Sequence, residues 1–221
     1  MPYKLPFKPI DKVRFQPWVG QDYASRIPKL LVLGMSHYRW ERKKLTPDYF
    51  VTNAVVLPRI TNDVALRFFT NMIATSIGHL PSNEERAEFW HSVAFYNYIQ
   101  EFVGDSPRKP HAYELWQRSE PAFAEVLRRL KPQLVLVIGL LNWGNIANLN
   151  GWSGNMLRHV PEPKYADTWW YPVGDGKAAL AFHVKHMSAG YNFRKFTKLF
   201  HEAEQVAIKG WHRKSIAAPG N

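Results

Sequence analysis

Four short apolar runs, each closed by glycine or polar residues, constrain the fold of this 221-residue chain most strongly. They are residues 29–34 (KLLVLG), 92–97 (SVAFYN), 133–139 (QLVLVIG) and 180–185 (LAFHVK). Runs of this length are typical of strands that are buried on both faces. Segments with helical spacing separate them, which favours parallel pairing. We therefore predict an α/β fold, a three-layer α/β/α sandwich around a central four-stranded, mainly parallel sheet.

The segments between these runs carry helix signals. Ser82 followed by Glu85 resembles a capping box, in which side-chain and backbone groups at a helix start bond each other. The predicted helices are residues 61–76, a short helix from Ser82, residues 110–130, a short helix capped by Asn142, and residues 192–208. Residues 39–60 are predicted to be irregular. Residues 149–176 are predicted as loops or a small hairpin, because they are dense in Gly, Asn, Trp and Pro.

The length of the chain favours one domain with small appendages. Residues 1–28 are rich in Pro, Lys and aromatic residues, and we expect them to form an arm that packs on the core. Residues 29–208 are predicted to form the α/β domain, and residues 209–221 a basic, flexible tail.

Charge and cysteine content narrow the classes of function. The chain has 29 Lys and Arg residues against 18 Asp and Glu residues, a formal net charge of +11, and no cysteine. A positive charge of this size favours a polyanionic partner, most often nucleic acid. The alternative is that the charge only keeps the protein soluble. The absence of cysteine excludes disulfides, thiolate zinc sites, iron–sulfur clusters and a cysteine nucleophile.

Hydropathy predicts no contact with a membrane. Residues 1–10 lack the apolar core of a signal peptide, and the longest apolar run, residues 134–141, is far shorter than the roughly 20 residues that span a bilayer. We expect a soluble, cytoplasmic, monomeric protein with no obligatory protein partner.

The ends of the predicted strands are the candidate functional segments, because ligands of parallel sheets collect beyond the carboxyl ends of the strands. They are residues 34–38, 97–100, 139–143 and 186–191. The first places a hydroxyl, an imidazole and a phenol after a glycine. Asn97 carries an amide that can both donate to and accept from a base edge. Each residue taken singly also fits an ordinary structural role, such as a turn cap.

The order and spacing of these segments resemble the uracil-DNA glycosylase superfamily. Gly34-Met-Ser-His-Tyr38 stands where that family has G-Q-D-P-Y or G-M-N-P-G, after the first strand. His186-Met-Ser-Ala189 stands in place of its H-P-S-P motif, after the last strand. Residues 93–97 (VAFYN) are similar to the family's strand that ends in a base-reading Asn. The resemblance spans roughly residues 28 to 207.

The resemblance implies a monofunctional DNA glycosylase, which flips a pyrimidine out of the duplex and hydrolyses its glycosidic bond, leaving an abasic site. In that scheme Asn97 reads the base, and His186 stabilises the departing base anion. Tyr38 closes the pocket against substituents at position 5 of the ring. The remaining base-binding residues implied are Gly34 and Met35 of the first motif, and Tyr49 or Phe50 as the stacking aromatic ring.

The chain departs from the family at the position that handles the water nucleophile. Ser36 stands where the family has Asp or Asn, and His37 replaces the following Pro. Three alternatives follow: His37 acts as the base, Asp48 reaches in, or nothing replaces the missing group. In the last case the chain is a non-catalytic DNA-binding protein on the same fold. The altered motif favours a modified pyrimidine over uracil as substrate, such as a substituted cytosine of phage DNA, which would suit an antiviral defence.

Further residues are expected to contact DNA. Ser188 belongs to the second motif, and Tyr191 is a candidate wedge for the gap that a flipped base leaves. The candidate phosphate ligands are Arg39, Arg42, Lys43, Arg108, Lys109, Arg194 and Lys195. A metal-dependent hydrolase built on His37, His183 and His186 is the weaker alternative, because no carboxylate cluster accompanies them. We expect neither a metal nor a cofactor.

Overall fold

The computed structural model describes residues 7–38, 46–60, 66–104, 112–188 and 190–211. Within these ranges the chain forms seven strands and six α-helices. The strands are β1 (Trp18–Val19), β2 (Leu30–Gly34), β3 (Ala94–Asn97), β4 (Leu134–Ile138), β5 (Trp152–Ser153), β6 (Thr168–Gly174) and β7 (Lys177–Val184). The helices are α1 (Val51–Ile60), α2 (Arg67–Ile77), α3 (Asn83–Ser92), α4 (Tyr113–Leu130), α5 (Leu140–Asn145) and α6 (Phe193–Gly210). Short 3-10 helices occupy Asp48–Phe50 and Pro163–Tyr165.

All seven strands belong to one mixed sheet, in the order β1-β3-β2-β4-β7-β6-β5. The four strands predicted from the apolar runs are parallel and adjacent, namely β3, β2, β4 and β7. The prediction of a four-stranded sheet is wrong, because β1, β6 and β5 extend the sheet by antiparallel pairing. The general α/β class is confirmed.

The sheet lies between two hydrophobic clusters, because alternate residues of a strand point to opposite faces. Leu30 and Val32 of β2 belong to the cluster that includes side chains of α2, α3 and α6. Leu31 and Leu33 belong to the opposite cluster, which includes the buried side of α4 and residues of the N-terminal segment. The helices therefore cover the sheet on both faces, and its parallel strands are buried along their length except at Lys177, the first residue of β7.

The helix signals are confirmed in some segments and wrong in others. The capping box is present: the Glu85 N–H donates to Ser82 Oγ at 3.3 Å, and the Ser82 N–H donates to Glu85 Oε2 at 2.8 Å. The prediction that residues 39–60 are irregular is wrong for Val51–Ile60, which forms α1. Asn142 lies inside α5 and not at its cap. Its Nδ2 donates to the carbonyls of Leu33 and Gly34, both at 3.2 Å, which fixes the end of β2.

The N-terminal segment contributes a strand to the sheet. Phe15 is fully buried, and the Trp18 Nε1–H donates to the Trp90 carbonyl at 2.7 Å. β1 pairs with β3 in the register Trp18 to Phe95. Most of the predicted basic tail, residues 212–221, lies outside the described residues. None of the helices described is both long and apolar enough to cross a membrane.

Candidate functional site

A cavity of about 200 Å³ opens at the carboxyl ends of the parallel strands. Four of its polar wall residues come from three different strand ends: Ser36 and Tyr38 follow β2, Asn97 ends β3, and His186 follows β7. The other wall residues are Gly34, Met35, Val55, Leu66, Phe68, Phe69, Phe95 and Ile138. The structure thus brings six of the residues singled out in the sequence to one cavity, whose remaining walls are apolar.

The first of these segments is held in place by pairing that continues past β2. The Tyr98 N–H donates to the Gly34 carbonyl at 3.1 Å, the Ile99 N–H to Met35 at 2.8 Å, and the Val103 N–H to His37 at 3.0 Å. Backbone groups of residues 34–37 are therefore anchored, and the Ser36 and Tyr38 side chains leave from a fixed main chain.

Gly34 allows the Asn97 side chain to lie against the main chain of β2. A Cβ at Gly34 would overlap Asn97 Oδ1 and would lie 3.3 Å from Cζ of Phe95. Asn97 is buried, its Oδ1 lies where it would meet a Gly34 Cβ, and both residues line the cavity. Gln100 Nε2 donates to the Asn97 carbonyl at 2.9 Å and steadies the end of β3.

His37 is fully buried and is absent from the cavity wall among the residues described. Its Nε2 lies 3.0 Å from Thr52 Oγ1 and 3.2 Å from Asn97 Nδ2. The Phe15 ring meets it edge-on at 5.1 Å. The position of His37 does not favour the predicted role as the base that activates water, because its ring contacts the Asn97 amide and does not line the cavity among the described residues.

His186 stands at the cavity wall with one side open to solvent. Its Nδ1 lies 3.0 Å from Ser188 Oγ, and its ring is 5.5 Å from that of Phe68. Partial burial lowers the pKa of His186 from its ordinary value near 6.5, which favours the neutral imidazole. Ser188, expected to contact DNA, is thus in contact with His186 and orients its ring.

Helix α2 holds the segment that carries His186. Asn71 Nδ2 donates to the Met187 carbonyl at 3.0 Å, and Thr75 Oγ1 bonds the Tyr191 hydroxyl at 2.9 Å. The Tyr191 ring is buried and stacks on Phe196 at 5.0 Å, and burial raises the pKa of its hydroxyl. The prediction of Tyr191 as a wedge is therefore contradicted, since the ring is part of the core.

The segment expected to supply the stacking ring lies elsewhere. Asp48 accepts from Arg14, whose Nε and Nη2 lie 2.8 Å and 2.7 Å from Oδ2, and Tyr49 is 41% exposed. Among the described residues, neither these two nor Phe50 lines the cavity. Phe68 of α2 is the ring beside His186, and it lies in the segment 61–76 that was predicted as a helix without a role in the site.

Cations lie close together beside the second motif. Lys164 donates to Glu162 Oε2 at 2.6 Å, and this bond is the main reason why the pKa of Glu162 is lowered. The charges of Lys185 and Lys195 lower this pKa further. Arg194 is exposed, with its guanidinium 4.8 Å from the Phe193 ring. Arg39, Arg42, Lys43, Arg108 and Lys109 lie outside the described residues.

The three histidines of the metal alternative do not converge. His183 is fully buried in β7 and stacks on Trp143 at 4.5 Å, and burial lowers its pKa to about 4. In the part of the chain that the structure describes, no group of three or more His, Asp or Glu side chains could hold a metal ion.

Comparison with known proteins leaves the family open. No protein-family model matches this chain, and no curated protein matches its sequence. What the chain can do chemically therefore rests on the cavity itself. It combines apolar and aromatic walls with an imidazole, an amide and two hydroxyls, a set that suits a flat ring with hydrogen-bonding edges.

Proposed function

We propose that this chain is a DNA glycosylase that flips a pyrimidine out of DNA and hydrolyses its N-glycosidic bond to leave an abasic site. The observation that carries the proposal is that six residues from three strand ends converge on one cavity: Gly34, Met35, Ser36, Tyr38, Asn97 and His186. These residues are also the ones that carry the resemblance to the uracil-DNA glycosylase superfamily. The proposed partner is DNA, and we propose that the protein acts as a monomer in the cytoplasm.

The size and walls of the cavity support a single base as the ligand. About 200 Å³ is below the roughly 300–1,000 Å³ of sites for larger organic ligands. The Phe68 ring stands on the wall, where base–aromatic stacking contributes roughly 1–3 kcal/mol. That contribution offsets part of the few kcal/mol that unstacking a base costs.

The proposed chemistry needs a donor where the base leaves. When the bond between the sugar C1′ and the base nitrogen breaks, its electron pair goes to the base, and the sugar becomes an oxocarbenium ion. The neutral His186 imidazole can donate an N–H to an oxygen of the departing base, with Ser188 bonded to its other nitrogen. A donor held at the site of developing charge in an apolar cavity is worth far more than in water.

Water then adds to C1′ and loses a proton. Ser36 is the buried hydroxyl at this wall, and it can orient that water by a hydrogen bond. A hydroxyl is too weak a base to take the proton, so the base anion or solvent receives it. We therefore expect slow turnover that depends on departure of the base.

The substrate we propose is a pyrimidine, either uracil or a modified ring such as a substituted cytosine of phage DNA. Tyr38 is half-buried, and Val55 and Leu66 add apolar wall beyond the polar groups. Val55 and Leu66 favour a ring with an apolar substituent, whereas a Tyr38 ring in the pose of the family's tyrosine would exclude substituents at position 5. A glycosylase with that preference would serve defence against phage.

A non-catalytic DNA-binding protein is the second candidate, and one observation favours it. No carboxylate lines the cavity among the residues that the structure describes, and Asp48 is paired with Arg14. Without a base, the same cavity could hold a flipped nucleotide and release it unchanged. The positive charge beside His186 would strengthen DNA binding in either function, because cations that neutralise phosphates release the counterions of DNA.

Incubation with duplexes that contain only plain bases, one uracil, or modified cytosines tests the proposal, with alkali-labile sites as the readout. We expect cleavage of at least one substituted duplex, and its loss in His186→Ala. The matched control is His201→Ala, which removes an exposed imidazole of α6 that contacts Glu204. Tight DNA binding with no alkali-labile sites on any duplex would refute the glycosylase activity and support the non-catalytic DNA-binding protein.

A further inference from the structure

A second and larger cavity, of about 690 Å³, lies on the other face of the sheet. Asn97 lines the first cavity and Tyr98, which belongs to the cluster on the α4 side, lines the second. Among the described residues, the two cavities have no wall residue in common. The volume of the second falls within the roughly 300–1,000 Å³ of sites for small organic ligands. It is therefore large enough for a ligand of its own.

One wall of the second cavity is a face of α4. Tyr113, Gln117, Glu120 and Ala124 line it, and their spacing of three and four residues places them on one side of the helix. Tyr113 is 62% exposed, which leaves much of its side chain accessible. Within the part of the chain that the structure describes, the side chains of Gln117 and Glu120 make no hydrogen bond or ion pair. This wall therefore offers an aromatic ring, an amide and a carboxylate.

The other wall is the segment that follows α5, and three side chains hold it in place. The Ala147 N–H donates to the Tyr98 hydroxyl at 3.2 Å, and the Ala147 carbonyl accepts from the Tyr171 hydroxyl at 3.0 Å. Trp169 Nε1 donates to the Asn148 carbonyl at 3.2 Å. Because the main chain is fixed before any ligand arrives, binding costs little conformational freedom here.

A tight turn in this second wall carries two further amides. Leu149 and Asn150 have φ values of 46° and 56°, and the Gly151 N–H donates to the Asn148 carbonyl at 2.8 Å. A leucine seldom adopts this left-handed conformation, which persists where surrounding contacts impose it. The side-chain amides of Asn148 and Asn150 make no hydrogen bond to any described residue. Both residues line the cavity, so the turn adds two amides that are available to a ligand.

These uncommitted groups select the chemistry of the ligand. An amide both donates and accepts, a carboxylate accepts, and a sugar hydroxyl can bond either group. An exposed tyrosine ring suits the apolar face of a sugar. Among the described residues no Lys or Arg lines the cavity, although the chain carries a net charge of +11. The cavity therefore disfavours phosphates and other anions, and an uncharged ligand with several hydroxyl groups fits it best.

We propose that this cavity is a binding site for an uncharged mono- or disaccharide. The Tyr113 ring stacks on the sugar, and the hydrogen-bonding side chains are Gln117, Glu120, Asn148 and Asn150. The site lies apart from the base-sized cavity, and the inference does not rest on the proposed function.

Titration of the protein with glucose, N-acetylglucosamine, maltose and cellobiose, followed by ¹⁵N–¹H NMR, tests the proposal. We expect saturable shifts of the side-chain amides of Asn148 and Asn150, with a Kd of roughly 1 mM or tighter for at least one sugar. Tyr113→Ala and Glu120→Gln should each raise that Kd at least about tenfold. The matched control is Glu114→Gln, which neutralises an exposed carboxylate of α4 outside the cavity wall and should leave the Kd unchanged.

Three results would overturn the proposal. The first is that none of the four sugars gives a saturable shift, and the second is that the shifts are confined to residues of the base-sized cavity. The third is that spermidine binds, the sugars do not, and Glu120→Gln abolishes spermidine binding, which would assign the cavity to organic cations. No DNA is present in these titrations, so their failure leaves the proposed glycosylase to its own assay.

Discussion

Gly34→Ala is the substitution that tests the packing of the candidate site most directly. A Cβ there would overlap Asn97 Oδ1 and come within 3.3 Å of Cγ of Asn97 and Cζ of Phe95. The amide must move, because the main chain of Gly34 is fixed by Tyr98 and Asn142. Movement breaks the 3.2 Å bond between Asn97 Nδ2 and His37 Nε2 inside the core.

The magnitude follows from that broken bond. A buried polar group left without its partner costs about 1–3 kcal/mol, so we expect Gly34→Ala to lower the free energy of unfolding by about 2 kcal/mol. For a chain of this length the unfolding midpoint should fall by roughly 4–8 °C. The affinity for a uracil-containing duplex should fall as well, since the displaced Asn97 amide is part of the cavity wall.

Thermal unfolding and binding of a uracil-containing duplex measure the two effects. The matched control is Gly144→Ala in α5, where a Cβ meets nothing within 4 Å. Alanine at an exposed helical position should raise stability by about 0.5–1 kcal/mol relative to glycine. A Gly34→Ala protein with the wild-type midpoint and wild-type base binding would refute the packing of Asn97 on Gly34.

Four further substitutions have defined outcomes. His183 is buried with a pKa lowered to about 4, against an unfolded value near 6.5, so wild type should lose up to about 3 kcal/mol of stability as pH falls from 6.5 to 4. His183→Phe should lack this loss, which denaturant midpoints at pH 7 and 4.5 would show; equal losses would contradict it. Tyr191→Phe removes the hydrogen bond to Thr75 and should lower the free energy of unfolding by about 0.5–1.5 kcal/mol without weakening DNA binding. Weaker DNA binding would instead support a role of Tyr191 as a wedge in the duplex. Lys185→Ala and Lys195→Ala should each reduce the slope of log affinity against log salt by about 1, and an unchanged slope would place DNA elsewhere.

The strands that could be predicted are those whose residues are buried on both faces. Leu30–Gly34 and Leu134–Ile138 are buried throughout, so their sequences carry unbroken apolar runs. Residues 149–176 were predicted as loops or a small hairpin, and the seven-residue length of β6 was not predicted, because the exposed Pro172 interrupts its apolar pattern. A signal for it was present in the Asp175-Gly176 pair, since both residues have positive φ in the turn that joins β6 to β7.

The site residues that follow the ends of the strands could be predicted from the sequence. Those that helices contribute to the cavity wall could not. Gly34, Asn97 and His186 meet because parallel strands place their carboxyl ends at one edge. The aromatic wall comes from Phe68 in α2, and only the packing of α2 on α6 brings it there. The distance along the chain from the first motif suggested Tyr49 and Phe50 as the stacking ring. This distance does not show which segment packs beside the cavity, and the structure places Phe68 there.

Both edges of the sheet end in strands of two residues, β1 and β5. A long, flat edge exposes a row of unpaired N–H and C=O groups, which another chain can extend into an intermolecular sheet. Edges of two residues offer too few such groups for stable pairing. The same short strands that complete the fold therefore protect a strongly apolar sheet against edge-to-edge aggregation.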